Sequence, residues 1–398
     1  MSAVEKKILQ CFEKNIYFLL YLFITILALL LRYHFVDWES PDYITYLSPW
    51  FQQIKDEGGL RALGHTIGNY NVFYLTLMAV LTYIPLRPIV LIKGLSFVFD
   101  FMGAAVAAML CKREEESVQN MGSIMVYGIL LGVPQVFINS AAWAQCDFSY
   151  TACIFLCILL LQKEHPRLAM IAFGIAFCFK LQAVFFLPVL LAHYVTKKGY
   201  SVLEFLWIPI MWFATAIPSL VAGRSFGSIL RIYSDQVTLY QSLTLSYPNI
   251  YYLFRQGDGG WGMYHLFGNM GIMLTFLLLS LGCVYAIKKR LVDNKGEFLC
   301  FSAWCVFTCV LFLPSMHERY GFMAEMLVIC AAFVVKDCWS YIAAVLMNIV
   351  AIINYTCLVF GVFEAPYELL TVLNFAAYGI LIYRIMYRKG NEENSGKV

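Results

Sequence analysis

Charged side chains are scarce in this chain. Asp, Glu, Lys and Arg make up 13% of its 398 residues, against about 25% in a typical soluble domain. That scarcity excludes an ordinary water-soluble fold. The net charge is only +3, so no basic field exists to hold a nucleic acid. No low-complexity tract or polar linker interrupts the sequence, and residues 1–398 read as one domain. No small-residue cleavage site follows the apolar stretch from Ile16 to Leu31, which lies behind Lys6, Lys7 and Lys14. It reads as a retained first helix rather than a signal peptide. The 13 cysteines lack zinc-ribbon spacing. Most, such as Cys153, Cys157, Cys300, Cys305 and Cys309, lie in apolar runs, where a free thiol packs as a small hydrophobe. Cys146 stands in an expected outer loop without an evident partner, so neither a disulfide nor a thiolate metal site is expected.

What the chain has in abundance is apolar surface: 61% of its residues, with 17% aromatic. A bilayer span needs roughly 20 mainly apolar residues. Apolar segments cover roughly 16–35, 71–86, 88–110, 121–138, 148–162, 167–179, 183–196, 201–222, 262–287, 297–314, 320–335, 338–362 and 367–387. The expected fold is all-α, a polytopic transmembrane helical bundle of about 11–13 membrane segments.

Lys and Arg orient such a bundle by keeping their loops in the cytoplasm. The basic loops are MSAVEKK, CKREEE, QKEHPR, TKKG, KKRLVDNKG and the tail RIMYRKGNEENSGKV. Placing them inside leaves 37–70, 139–147, 180–182, 223–260, 315–319 and 363–366 outside. One conflict arises. Residues 71–138 must then cross an even number of times, yet they hold three apolar segments. The weakest, 71–86, ends in Pro85-Leu86-Arg87-Pro88 and is expected to enter and return, or to lie partly in the interface. The short segments 167–179 and 183–196 flank Lys180 and should meet near the outer face.

The outer loops carry the polar chemistry. The first, 37–70, holds Asp37, Glu39 and Asp42, then Pro49-Trp50 and an amphipathic stretch from Phe51 to Leu63. Its carboxylates can act as a general base, bind a metal or be solvated. Tyr43, Tyr46, Trp50 and Phe51 would hold the loop against the membrane surface. In NSAAWAQCDFSYT, Asn139, Trp143, Gln145 and Asp147 form a polar island. Helical spacing would put Trp143 and Asp147 on one face, and Asp147 could equally cap a helix. In FCFKLQAVFFLP, Lys180 and Gln182 stand among apolar residues; the lysine either snorkels or binds an anionic headgroup. In LPSMHERYGF, His317, Glu318, Arg319 and Tyr320 lie between two spans. Arg319 either caps the loop through an ion pair or grips a phosphate with its planar fork. No second histidine follows, so H-E-R-Y is not the zinc motif H-E-x-x-H.

The order DYITYLSPWFQQIKDEGG, YNVFY, NSAAWAQCD, FKLQAVFFLP, LPSMHERY resembles a branch of the GT-C glycosyltransferase superfamily. The resemblance is to bacterial relatives of the GPI-anchor mannosyltransferase family and covers roughly residues 35 to 325. It implies a GT-C-like bundle, an extracytoplasmic first loop with short amphipathic helices, and an enzyme that takes sugar from a polyprenyl-phosphate carrier. A hexose such as mannose would pass to a glycan or glycolipid acceptor of the cell envelope, with inversion. Asp42, inside S-P-D-Y, matches the family's acidic position and is the expected base, with Asp37 of the literal D-x-E second. Lys180 and Arg319 are expected on the donor phosphate. Glu39, Asn71, Trp143, Gln145, Asp147, Gln182, His317, Glu318 and Tyr320 are expected around the substrates. No D-x-D occurs in the loop, which argues against a divalent-metal requirement, and no other cofactor is expected. The expected location is a bacterial plasma membrane, with lipid around the chain and the site on its outer face.

Two other classes stay open. A transporter or lipid flippase would explain the buried Lys93, Asp100 and Lys180, but not an acidic, aromatic first outer loop; no internal repeat is evident. A polysaccharide polymerase or ligase would use a polyprenyl-diphosphate donor. Its arginines would stand in a late outer loop, and 223–260 has Arg224, Arg231 and Arg255. The aromatic residues of that loop, Tyr233, Tyr240, Tyr247, Tyr251, Tyr252 and nearby Trp261, are expected to shape the acceptor site.

Overall fold

The computed structural model of the chain describes residues 2–112, 121–240, 242–254 and 262–387. The loop CKREEE, apart from its first two residues, most of the tail after Arg384, Arg255 and Trp261 lie outside the described residues. The helices run α1 (Ala3–His34), α2 (Ser48–Asp56), α3 (Val72–Leu81), α4 (Pro88–Cys111), α5 (Met121–Gly132), α6 (Pro134–Phe137), α7 (Asp147–Gln162) and α8 (Pro166–Phe179). They continue as α9 (Leu187–Lys197), α10 (Trp207–Val221), α11 (Phe226–Leu239), α12 (Gly262–Lys289), α13 (Lys295–Phe312), α14 (Phe322–Val335), α15 (Cys338–Phe360) and α16 (Tyr367–Tyr387). The only strands among the described residues, β1 (Thr244–Leu245) and β2 (Met316–His317), pair in parallel.

Among the described residues, seven helices are long and apolar enough to cross a bilayer: α1, α4, α10 with the turn before it, α12, α13, α15 and α16. An eighth is the α5–α6 pair, bent by 51° ahead of Pro134. Five shorter apolar helices complete the set, so every one of the thirteen apolar stretches is helical. The chain is built as a multi-pass membrane protein. In α13, 89% of the apolar window is buried, and it forms the middle of the bundle. In α1 the figure is 11%, and bulky side chains such as Phe18 and Phe23 face outward, where only lipid can cover them.

The two ends of the bundle differ. At one end basic loops lock together: Lys295 Nζ donates to the Lys112 carbonyl at 2.8 Å, Lys197 pairs with Asp293 at 2.8 Å, and Arg384 with Asp337 at 2.6 Å. At the other end the first loop meets the ends of α4, α8 and α10. Gly64 touches α10 so closely that a Cβ there would sit 2.3 Å from the Ala222 carbonyl oxygen.

The short segment 71–86 holds too little helix to cross a bilayer by itself. Asn71 caps α3 by accepting from Phe73 N at 3.3 Å. Ten residues of α helix reach only about 15 Å, half the roughly 30 Å of a bilayer core. Beyond its far end the Tyr83 hydroxyl accepts from Leu60 N at 3.1 Å. Gly59, with φ +68°, leaves room for that ring, since a Cβ would lie 2.5 Å from the hydroxyl. Arg87 then pairs with Asp37 at 2.6 Å. Lys93 donates to the carbonyls of Phe35, Val36 and Trp38 at 2.9, 3.2 and 2.6 Å. Both ends of α3 are therefore tied to the first loop, and α4 starts beside the exit of α1. Deeper, Arg32 Nε donates to Asp100 at 2.8 Å and fastens α1 to α4.

Candidate functional site

The first loop turns sharply at Ser40-Pro41-Asp42. Ser40 Oγ accepts from Tyr43 N at 3.1 Å and donates to the Trp143 carbonyl at 2.7 Å. One hydroxyl thus latches the first loop to the polar island 139–147. Asp42 opens a π-helical turn, Tyr43–Leu47, and points toward the island.

The island is not a continuous helix. Ile138–Ala142 is a second π-helical turn, and Ala144 takes a left-handed φ of +64° before α7 begins at Asp147. Trp143 and Asp147 therefore do not share a helical face by spacing. Their proximity comes from Asn139, which donates through Nδ2 to Asp147 Oδ2 at 2.7 Å and accepts from Asp147 N at 3.2 Å. Asp147 does not cap α7; Asn139 supplies that bond.

Lys180 ends α8 with extended backbone, so its side chain leaves the helix and meets Asp147 Oδ1 at 2.6 Å. Arg319 Nε lies 3.7 Å from the other carboxylate oxygen. Its Nη1 meets Glu318 at 2.5 Å and stands 3.6 Å from Asp42 Oδ2. The guanidinium lies over the Trp143 ring at 5.5 Å, and the Lys180 ammonium over the Tyr70 ring at 5.6 Å. Burial opposes the Glu318 charge, but Arg319 beside it and the His317 hydrogen bond outweigh burial and hold the carboxyl below its ordinary range. Burial also works against the Arg319 charge, yet Glu318, Tyr70, Asp147 and Asp42 raise its pKa, so it stays a cation. Burial pushes the Tyr70 phenol up to about 12.

These groups surround a cavity of about 270 Å³. Asp42, Asn71, Gln145, Lys180, Gln182, His317, Glu318, Arg319 and Tyr320 line it, residues drawn from four loops. Trp143 and Asp147 lie behind the cations, 6% and 1% exposed, and do not reach the cavity wall. Asp37 and Glu39 stand outside it. The Asp37 side chain is 69% exposed and paired with Arg87, and Glu39 is exposed as well. Tyr46, Trp50, Asn69, Tyr70, Gln236 and Tyr240 also line the wall. Tyr70 could have been found beside Asn71 in YNVFY; Gln236 sits on α11, whose mixed polar face carries no motif.

The aromatic residues of 223–260 mostly serve elsewhere. Tyr233 bonds the Phe177 carbonyl, Tyr251 donates to the Phe312 carbonyl at 2.8 Å, and Tyr252 stacks on Tyr367 at 4.4 Å. Tyr240 is the tyrosine of that loop on the cavity wall, set edge-on to His317 at 5.0 Å. Among the described residues no three His, Cys, Asp or Glu side chains converge as metal ligands. No family model and no curated protein matches the chain.

Proposed function

We propose that the chain transfers a sugar from a polyprenyl-phosphate carrier to a hydroxyl of a glycan or glycolipid, with inversion. The carrying observation is the single cavity that joins Asp42 to Lys180 and Arg319 across four loops. The GT-C resemblance of the same motifs points the same way. A polyprenyl phosphate stays in the bilayer, so a site at the end of an apolar bundle suits it. Asp42 takes the proton of the acceptor hydroxyl as its oxygen bonds the anomeric carbon. The bond from that carbon to the phosphate oxygen breaks, and the phosphate leaves with the electron pair.

Both cations keep hydrogen-bonding capacity for that phosphate. An ammonium has three donors, and Lys180 commits one, to Asp147. A guanidinium has five donors, and Arg319 commits Nη1 to Glu318 while its Nε faces Asp147, which leaves donors of the fork for the cavity side. Fixed donors of this kind stabilise charge that grows on the leaving group. Asp147 supplies the counter-charge that keeps two cations together when the donor is absent.

Specific contacts weigh against the alternatives. Asp100 is paired with Arg32 and accepts from Ser140, and Lys93 donates to three carbonyls, so both have structural partners that tie α4 to its neighbours. Arg224 turns to Ser228 and is absent from the cavity wall, unlike a diphosphate clamp.

The test is reconstitution of the full chain in lipid with labelled polyprenyl-phosphate sugars and candidate acceptors. Wild-type transfer is expected, with turnover in Asp42→Asn lower by about 100- to 10,000-fold. Transfer from diphosphate donors alone, or full activity in Asp42→Asn, would overturn the reading.

A further inference from the structure

Resting on that reading of Asp42, we propose that Gln145 is a positioning residue for the Asp42 carboxylate rather than a substrate ligand, and that Tyr70 sets its orientation. Gln145 Nε2 donates to Asp42 Oδ2 at 2.6 Å, and the Tyr70 hydroxyl donates to Gln145 Oε1 at 2.8 Å. A glutamine amide has one accepting end and one donating end. Tyr70 keeps its proton at any working pH because burial raises it to about 12. The ionised Asp42 carboxylate can only accept, so it takes the NH2 end of the amide, and the Tyr70 hydroxyl donates to the oxygen end and holds that orientation.

The backbone holds both partners in place. Gln145 N donates to the Asn139 carbonyl at 2.8 Å, directly after the left-handed Ala144. The Ser40 latch to Trp143 fixes the segment that carries Asp42. The amide thus faces Oδ2, the oxygen also nearest Arg319, and Oδ1 is left for the acceptor proton. A neutral donor suits this position. It adds no second positive charge beside Arg319, which already stands 3.6 Å from Oδ2, whereas a carboxylate there would oppose the Asp42 charge.

The experiment compares Gln145→Leu, Gln145→Glu and Tyr70→Phe with wild type in the reconstituted full chain. In Gln145→Leu, kcat should fall about 10- to 100-fold, below the effect of losing the base itself, with KM for donor and acceptor nearly unchanged. Tyr70→Phe should show a smaller loss of the same kind. In Gln145→Glu the acidic limb of the pH–kcat profile should move up by about one unit or more, because a like charge now adjoins the base. A raised acceptor KM at constant kcat in Gln145→Leu would make the residue a substrate ligand and overturn the proposal. A substrate-free measurement separates this outcome from failure of the transfer reading. In infrared titration, the protonated-carboxyl band that Asp42→Asn removes should shift to higher pH in Gln145→Glu. A band that does not move overturns the positioning role even if the chain transfers sugar. A band that moves in a protein that transfers no sugar retains the positioning role and rejects the transfer reading.

Discussion

At the scale of single residues, the candidate site is a problem of charge pairing in a place shielded from water. Lys180 and Arg319 share Asp147 from opposite sides, at 2.6 and 3.7 Å. Removing one member of such a buried group leaves an uncompensated charge, which costs about 3–5 kcal/mol. Lys180→Ala would therefore mix a folding defect with a binding defect. Arg319→Lys keeps the charge and loses only the planar fork. Charge-assisted hydrogen bonds contribute about 1.5–3 kcal/mol each, so donor affinity should fall about one to two orders of magnitude. Thermal stability should change little by comparison. Donor binding by labelled polyprenyl-phosphate sugar checks this. Unchanged affinity in a folded Arg319→Lys protein would reduce HERY to a loop cap. The sequence made the acidic first loop, Lys180 and Arg319 legible as polar residues in apolar surroundings. Only the family resemblance put Asp42 ahead of Asp37; composition and spacing did not separate them, because their partners lie far along the chain: Gln145 bonds Asp42, and Arg87 pairs with Asp37.

At the scale of elements, periodicity identified every apolar helix but misjudged the polar island. Local spacing assumes a regular helix, whereas Asn139 and the left-handed Ala144 break that register. For α3 the charge pattern predicts a segment that enters and returns, because an odd segment between two loops on one face cannot cross. The geometry makes this testable with single cysteines in a cysteine-free background. Lys55 and Leu86 are exposed on the first-loop side, before and after α3, and Lys198 is exposed at the basic end. An impermeant thiol reagent should label positions 55 and 86 from one face of sealed vesicles and position 198 from the other. Labelling of position 86 from the face that exposes 198 would make α3 a true crossing. It would also separate Asp37 from Arg87, contrary to their contact.

At the scale of the whole molecule, the C-terminal spans α15 and α16 carry none of the site motifs. Packing gives them a task. The stretch 242–249 runs across the end of the bundle that carries the cavity, and its carbonyls need partners there. Asn354 on α15 donates to the Ser246 carbonyl at 2.9 Å. On α16, Asn374 donates to the Pro248 carbonyl at 2.9 Å and Thr371 to the Asn249 carbonyl at 3.3 Å. The same stretch forms β1 against β2, and Ser315 Oγ adds bonds to the carbonyls of Tyr240 and Ser242 at 3.0 and 2.9 Å. His317 ends β2, so its place on the cavity wall depends on helices whose own side chains do not line that wall. Side-chain amides inside apolar spans are the visible trace of this support, though nothing in sequence says which loop they hold. Asn374→Leu should leave the buried Pro248 carbonyl unpaired at a cost of about 1–3 kcal/mol, and Asn354→Leu should cost less, because the Ser246 carbonyl is only partly buried. In the double variant the amides of 244–246 and 316–317 should exchange hydrogen faster, and turnover should drop although no cavity residue has changed. Faster exchange confined to α15 and α16, with the strand pair still protected, would show that the loop holds its shape unaided and that the C-terminal helices do not support the site.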